Sequence, residues 1–312
     1  MVTHPRLGRR LAQKAFARLR RDLLLSLSGS PDGEAPWVPQ MSEGSDAGYF
    51  GEGSAVWTVH GSNPTLVGGI RALLMQALHP GAMAGVAEHS RYHSDPLGRL
   101  AGTVRWVVVT TFGSTEIVDR EMARVTRIHD RVRGAYDTNE GERTGYTAQD
   151  ADLLAWVHLV FTESFLSAHQ KMGGSIPPSE DESGADRYVR EWAKAGELMG
   201  YPNPPRSEAE LRETIAAYKP QLRRDERVKD ALHFILHPPL PASMKPGYRL
   251  LAAGAVASLD DDYREMLGLK KPWWPALQIA SATVWFIGFV LGPESPSMRR
   301  ARERIASLRP AY

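Results

Sequence analysis

A chain of 312 residues with a net charge of +2 and no cysteine excludes several protein classes at the outset. Disulfides, iron–sulfur clusters, cysteine zinc sites, thiolate-ligated haem and haem attached through C-x-x-C-H all need thiols that are absent. The near-neutral balance lacks the dense basic face of a nucleic-acid binder, and 42% hydrophobic with 24% charged residues is the composition of a globular chain with a substantial core.

Between Arg6 and Arg21 lie seven basic residues and no acidic one, while Leu7, Leu11, Ala15, Leu19, Leu23 and Leu27 recur at every fourth position. This pattern predicts an amphipathic helix, packed on the domain with solvated arginines, with a helix lying on an anionic membrane surface as the alternative. No apolar core followed by a small-residue cleavage site succeeds the first residues, so a secretory signal is not expected and the cytoplasm is the default location. Residues 28–62 are rich in Gly, Pro, Ser and acidic side chains and read as an irregular connection. The chain therefore divides into an N-terminal basic helix and connection, 1–62, and an all-helical body, 63–312.

The body opens with a helical pattern from Pro64 to about Ser90, carrying Leu66, Ile70, Leu73, Leu74 and Ala77 on one side and kinked or ended by Pro80. Asp95-Pro96 starts the next helix, which stops at Gly113. Ser114 or Thr115 opens another that ends at Gly134. Thr147 caps a helix running to about Met172 and closed by Gly173-Gly174. Helical segments follow over 186–199, 207–217 and 221–236, and the last third alternates helical pattern with prolines. Pro275 to Gly292 carries no charge, is flanked by Lys270-Lys271 and Arg299-Arg300, and reads as a buried core helix, with peripheral membrane contact as the second expectation. No period-two strand of useful length is seen. The fold class is all-α, a single multi-helix domain.

Ten histidines are candidates for chemistry. His4 and His60 sit in loop-like surroundings. His89 with His93, and His233 with His237, are one helical turn apart, but no H-E-x-x-H accompanies them and they read as helix ends. His129 lies on the stripe Val118, Met122, Val125, His129, Val132 and is either a hydrogen-bonded core histidine or a metal ligand. His158 and His169 share a face but are separated by roughly 16 Å along a helix, too far to share one ion. Arg99, Thr103, Trp106 and Thr110 form one face of their helix, opposite Leu97, Leu100, Val104, Val107 and Val108. That face is either a solvated surface or the wall of a mixed cavity.

The segment Gly68-Gly69-Ile70-Arg71-Ala72-Leu73-Leu74-Met75-Gln76-Ala77-Leu78-His79-Pro80 resembles the MpaB-type oxygenase and latex-clearing-protein family. So do Glu88-His89-Ser90, Asp95-Pro96-Leu97-Gly98-Arg99-Leu100 with Thr103, Thr111-Phe112-Gly113, Arg127-Ile128-His129 with Val132-Arg133-Gly134, and Trp156-Val157-His158. The resemblance covers roughly residues 53–174. It implies a globin-like helical core holding non-covalent haem b, with His129 as the proximal iron ligand, Arg99 and Thr103 as a polar distal pair, and His158 as a supporting group. His79, beside the kink at Pro80, is a further pocket candidate. The chain departs from the rubber-cleaving members in carrying Gly102 where they place a lysine, and Glu88 is a poor match in spacing for their glutamate. These departures argue against polyisoprene as substrate.

The expectation is a bacterial-type haem-dependent oxygenase acting with O2 on a small or medium hydrophobic molecule. A haem carrier or sensor, and a metal-free helical protein bound peripherally to membranes, are the alternatives.

Overall fold

In a computed structural model, Ala17, Arg21 and residues 34–89, 96–292 and 294–308 are described; the expected basic helix lies almost wholly outside them. Among the described residues the chain forms thirteen α-helices, two short 3-10 turns and one hairpin. In chain order the elements are α1 (Ala55–His60), α2 (Thr65–Ala77), α3 (Pro80–His89), α4 (Pro96–Phe112), α5 (Thr115–His129), β1 (Arg133–Asp137), β2 (Arg143–Thr147), α6 (Ala151–Met172), α7 (Gly184–Met199), α8 (Glu208–Ala217), α9 (Glu226–Leu236), α10 (Lys245–Ser258), α11 (Asp261–Met266), α12 (Ala276–Leu291) and α13 (Pro296–Ser307). The fold is thus largely all-α.

Local chemistry sets the helix starts. The side chains of Ser54, Ser183, Ser207, Asp225 and Ser295 each accept a hydrogen bond from a backbone N–H of the first turn they precede. At α6 the cap is Asp150 rather than Thr147; the Asp150 carboxylate accepts from the Thr147 amide at 2.9 Å and from its hydroxyl at 2.8 Å. The break between α2 and α3 falls at Leu78-His79, immediately before Pro80.

The core is built around α2 against α6. Gly68 makes the approach possible, since a Cβ there would stand 2.9 Å from Phe165 and 3.1 Å from the Ser164 carbonyl. Helix α2 is buried nearly all round, and it carries Arg71 into the interior, where the guanidinium pairs with Glu163 and donates to Ser164 Oγ at 3.0 Å. Helix α7 brings the fully buried Tyr188 and Trp192 to α1 and α6. Helix α10 lies between α2 and α12. At Gly254 a Cβ would stand 2.2 Å from Ala280 Cβ, so Gly254→Val is expected to cost roughly 1–3 kcal/mol by overpacking, read as a lowered urea midpoint.

Three sequence expectations change. The 28–62 connection contains a 3-10 turn at Val38–Ser42 and helix α1, and most of the apolar side chains of α1 are buried. Helix α5 ends at His129, not Gly134, because the chain turns there into the antiparallel hairpin, with Arg133 opposite Thr147 and Asp137 opposite Arg143. Gly134 is then a strand residue whose missing side chain admits Tyr146 and Glu88, both within 3.0 Å of where a Cβ would sit. Helix α12 is not buried all round: Ala276, Ala280, Val284, Ile287 and Val290 face the body, while Trp285, Phe286 and Phe289 are exposed.

Candidate functional site

Over its first half helix α4 sits in the fold with its polar side inward; further along, Val107 of the apolar set and Thr110 of the polar set are both buried. Leu100 and Val104, from the apolar set, are 40% and 37% exposed, whereas Thr110 is fully buried and Arg99, Thr103 and Trp106 are half-buried. A solvated polar face would have turned the other way, so the sequence alternative that survives is the wall of a mixed interior. The indole Nε1 of Trp106 and the hydroxyl of Thr110 are buried with no hydrogen-bond partner. Trp192 of α7, whose ring centroid lies 5.9 Å from that of Trp106, also has an unpartnered Nε1. Unsatisfied buried groups cost roughly 1–3 kcal/mol each, and their clustering marks a place built to meet something polar.

Arg99 donates to Thr103 Oγ1, one turn along α4. No carboxylate pairs with Arg99 among the described residues, and burial holds its guanidinium below the ordinary arginine range. His129, at the last turn of α5, is half-buried and its Nδ1 is buried without a partner. Burial holds the His129 imidazole below its usual range, reinforced by the charge of Arg99 and opposed by Asp130. Two sequence candidates from different helices, Arg99 and His129, are therefore brought within electrostatic reach of each other, with Thr103 attached to the first.

One buried carboxylate fixes the two helices. Glu121 of α5, 2% exposed, accepts from Arg105 Nε of α4 at 2.9 Å and from Arg124 Nε at 2.9 Å and Nη2 at 2.5 Å. Breaking such a network would leave an uncompensated charge in the interior.

His158 lies in the core against α7, where Gly196 is one turn from Trp192. Its ring packs against Gly196 of α7, where a Cβ would stand 3.1 Å from three ring atoms, and its centroid is 5.8 Å from that of Tyr201. Burial pushes its pKa down to about 3, so it is neutral. His79 is fully buried at the α2–α3 break: its Nδ1 accepts from the amides of Gly81 (3.2 Å) and Ala82 (3.4 Å), and its Nε2 bonds Gln221 Oε1 at 3.2 Å. Both ring nitrogens are engaged in holding the fold. Glu88 accepts from Tyr146 OH (3.2 Å) and Arg227 (2.8 Å), joining α3, β2 and α9.

His60, read from sequence as a loop residue, ends α1 deep in the core. The Thr111 hydroxyl donates to the Val107 carbonyl at 2.7 Å, so it accepts from His60 Nδ1–H at 2.8 Å; His60 Nε2 then accepts from Tyr188 OH at 2.9 Å. This relay joins α7, α1 and α4. His169 bonds Ser62 Oγ through Nδ1 at 3.0 Å, and its Nε2 is buried without a partner. The Ala55–Val59 apolar run was the signal for α1, masked by glycines and serines on both sides.

Among the described residues no group of three His, Cys, Asp or Glu side chains converges as for an ion held by protein alone. Two clefts, of 630 and 320 Å3, are lined by residues other than Arg99, Thr103 and His129.

The model of the family described as ER-bound oxygenase mpaB/B'/rubber oxygenase, catalytic domain, matches residues 57–290. The chain belongs to this family, and the matched region, running from α1 into α12, carries an oxygenase catalytic domain. No curated protein and no solved structure matches the chain.

Proposed function

We propose that the chain is a haem b-dependent oxygenase that uses O2 on a small or medium hydrophobic molecule, with His129 as the residue that would hold the iron. The observation that carries this reading is the first half of α4, which exposes Leu100 and Val104 beside half-buried Arg99 and Thr103 and leads to the unpartnered indole of Trp106 and hydroxyl of Thr110. The unpartnered Nδ1 of His129, within electrostatic reach of Arg99, supports this assignment. A single neutral imidazole is also the donor set of a b-type haem in a chain without thiols.

When bound, the haem supplies a redox-active iron at which O2 is activated. His129, kept neutral, offers a nitrogen lone pair to the metal. Arg99 carries a charge with no carboxylate partner among the described residues, and its planar fork would suit a carboxylate of the cofactor. Because Thr103 Oγ1 accepts from Arg99, its own O–H would be left to donate to a substrate or other acceptor in the site. His158 supports the site indirectly, by packing α6 on α7. His79 is assigned no contact with the cofactor.

Purified or hemin-reconstituted protein is expected to show an intense Soret band, and His129→Ala to lose the haem or shift the band. Protein that stays colourless on reconstitution overturns the proposal. A Soret band with no O2 consumption alongside any hydrophobic substrate and reductant assigns the chain to haem carriage instead.

A further inference from the structure

We infer that the outer face of α12 is a docking surface for an anionic lipid bilayer. The inference is independent of the cofactor. Helix α12 has sixteen residues and no charge. Its inner stripe packs on the body, and its outer stripe, continued back one turn before the helix, runs Trp274, Gln278, Ala282, Trp285, Phe286 and Phe289. Trp273 is 66% exposed, Trp274 81%, Trp285 71% and Phe286 46%. A contiguous apolar surface of this kind is rare on a monomer in water and marks an interaction site. Three indoles beside lysines are the composition of the membrane–water interface, where the ring is half apolar and half polar.

The geometry favours lying on a bilayer over crossing it. At about 1.5 Å per residue the helix reaches roughly 24 Å, short of the ~30 Å hydrocarbon core. No single helix among the described residues is long and apolar enough to cross a membrane. The next helix, α13, buries Met298, Ala301, Arg304 and Ile305 in the body and is not available to extend a span.

Charge selects lipid over a second copy of the chain. Exposed Lys270 and Lys271 precede the stripe and Arg299 follows it. Asp261 at 3.5 Å from Lys271 and Glu34 at 3.8 Å from Arg299 offset part of this; Lys270 has no acidic partner among the described residues. With cations at both ends of an uncharged face, a second copy docked in either direction sets cation against cation. Anionic headgroups complement both ends. The 630 Å3 cleft, lined by Trp57, Pro64, Val284, Trp285, Phe289 and Met298 among others, continues the apolar surface inward from the same helix.

The test uses the full chain and phosphatidylcholine vesicles with or without phosphatidylglycerol. Flotation is expected with the anionic vesicles, and the Trp273→Ser, Trp274→Ser, Trp285→Ser variant is expected to partition on the order of tenfold less, or lower still, with its melting temperature unchanged. Because the chain has no cysteine, a single Trp285→Cys can carry an environment-sensitive fluorophore. Its emission is expected to shift blue on anionic vesicles, while a Glu140→Cys label in the exposed hairpin loop stays unchanged. A silent label at 285, or flotation unaffected by the triple variant, overturns the proposal. So does a dimer seen by light scattering that the triple variant abolishes, which would assign the face to self-association.

Discussion

Lowering the pH from 7 to 5 is expected to remove about 4 kcal/mol of folding stability through His60 and His158 alone. Both imidazoles are buried and neutral, and burial pushes each pKa down to about 3, against about 6.5 in the unfolded chain. Between those values the unfolded state binds protons that the native state refuses, so stability rises with pH and falls on acidification. Each histidine contributes roughly 1.4 kcal/mol per pH unit once the pH is below 6.5, or about 2 kcal/mol between pH 7 and pH 5. The paired carboxylates do not cover this loss: Asp46, Asp186 and Glu182 are held below their usual range, so their contribution is lost only as the pH falls further. Urea unfolding at pH 7, 6 and 5 measures the slope. A flat stability over that window would show that the His60 relay opens to solvent, contrary to the structure.

Arg304→Met is expected to destabilise the fold by about 3 kcal/mol or more. Arg304 is 3% exposed and reaches from α13 to four carbonyls: Met41 (2.7 Å), Phe112 (3.0 Å), Asp46 (3.1 Å) and Ala47 (3.4 Å). Three belong to the segment before α1; the fourth is the last residue of α4, where the helix leaves its carbonyls unpaired and its dipole is negative. Methionine fills similar volume but strands all four acceptors. At roughly 2–4 °C per kcal/mol for a chain of this order, the melting temperature should fall by about 6–12 °C. Arg304→Lys should recover little, because a point charge cannot serve four acceptors spread around a planar fork. A shift within about 2 °C for the methionine variant would show that water replaces the guanidinium at no cost.

Local chemistry was legible in the sequence where it is decided locally. Pro80, Pro96, Gly113 and Ser114 punctuate the chain where the structure does, and Ser207 caps the helix assigned to it. The hairpin escaped notice because its five-residue strands are rich in Gly, Arg, Thr and Tyr rather than alternating apolar and polar. Gly134 read as a helix stop, when its purpose is the close approach of Tyr146 and Glu88 across the fold. Arg71 and Arg304 were invisible as core residues because any pattern of hydropathy assigns arginine to water. For the candidate site, the residues of α4 sorted correctly into two faces, but hydropathy alone cannot say which face turns inward. The exposure of Leu100 and Val104 beside half-buried Arg99 and Thr103 settles that for the first half of the helix, whereas further along Val107 and Thr110, from opposite faces, are both buried. The family resemblance located Arg99, Thr103 and His129 in sequence; their proximity is a tertiary fact.

The relay through His60 has a polarity that bears on how the interior tolerates change. Tyr188, His60 and Thr111 each give a proton to the next group, and the last gives to the Val107 carbonyl, so all three dipoles point the same way and strengthen one another. No member can be reversed singly, since a flipped imidazole would present a proton to a phenol that already offers one. Three helices distant in the chain thus share a single handedness of proton donation, and substitutions at positions 60, 111 and 188 act as one alteration rather than three.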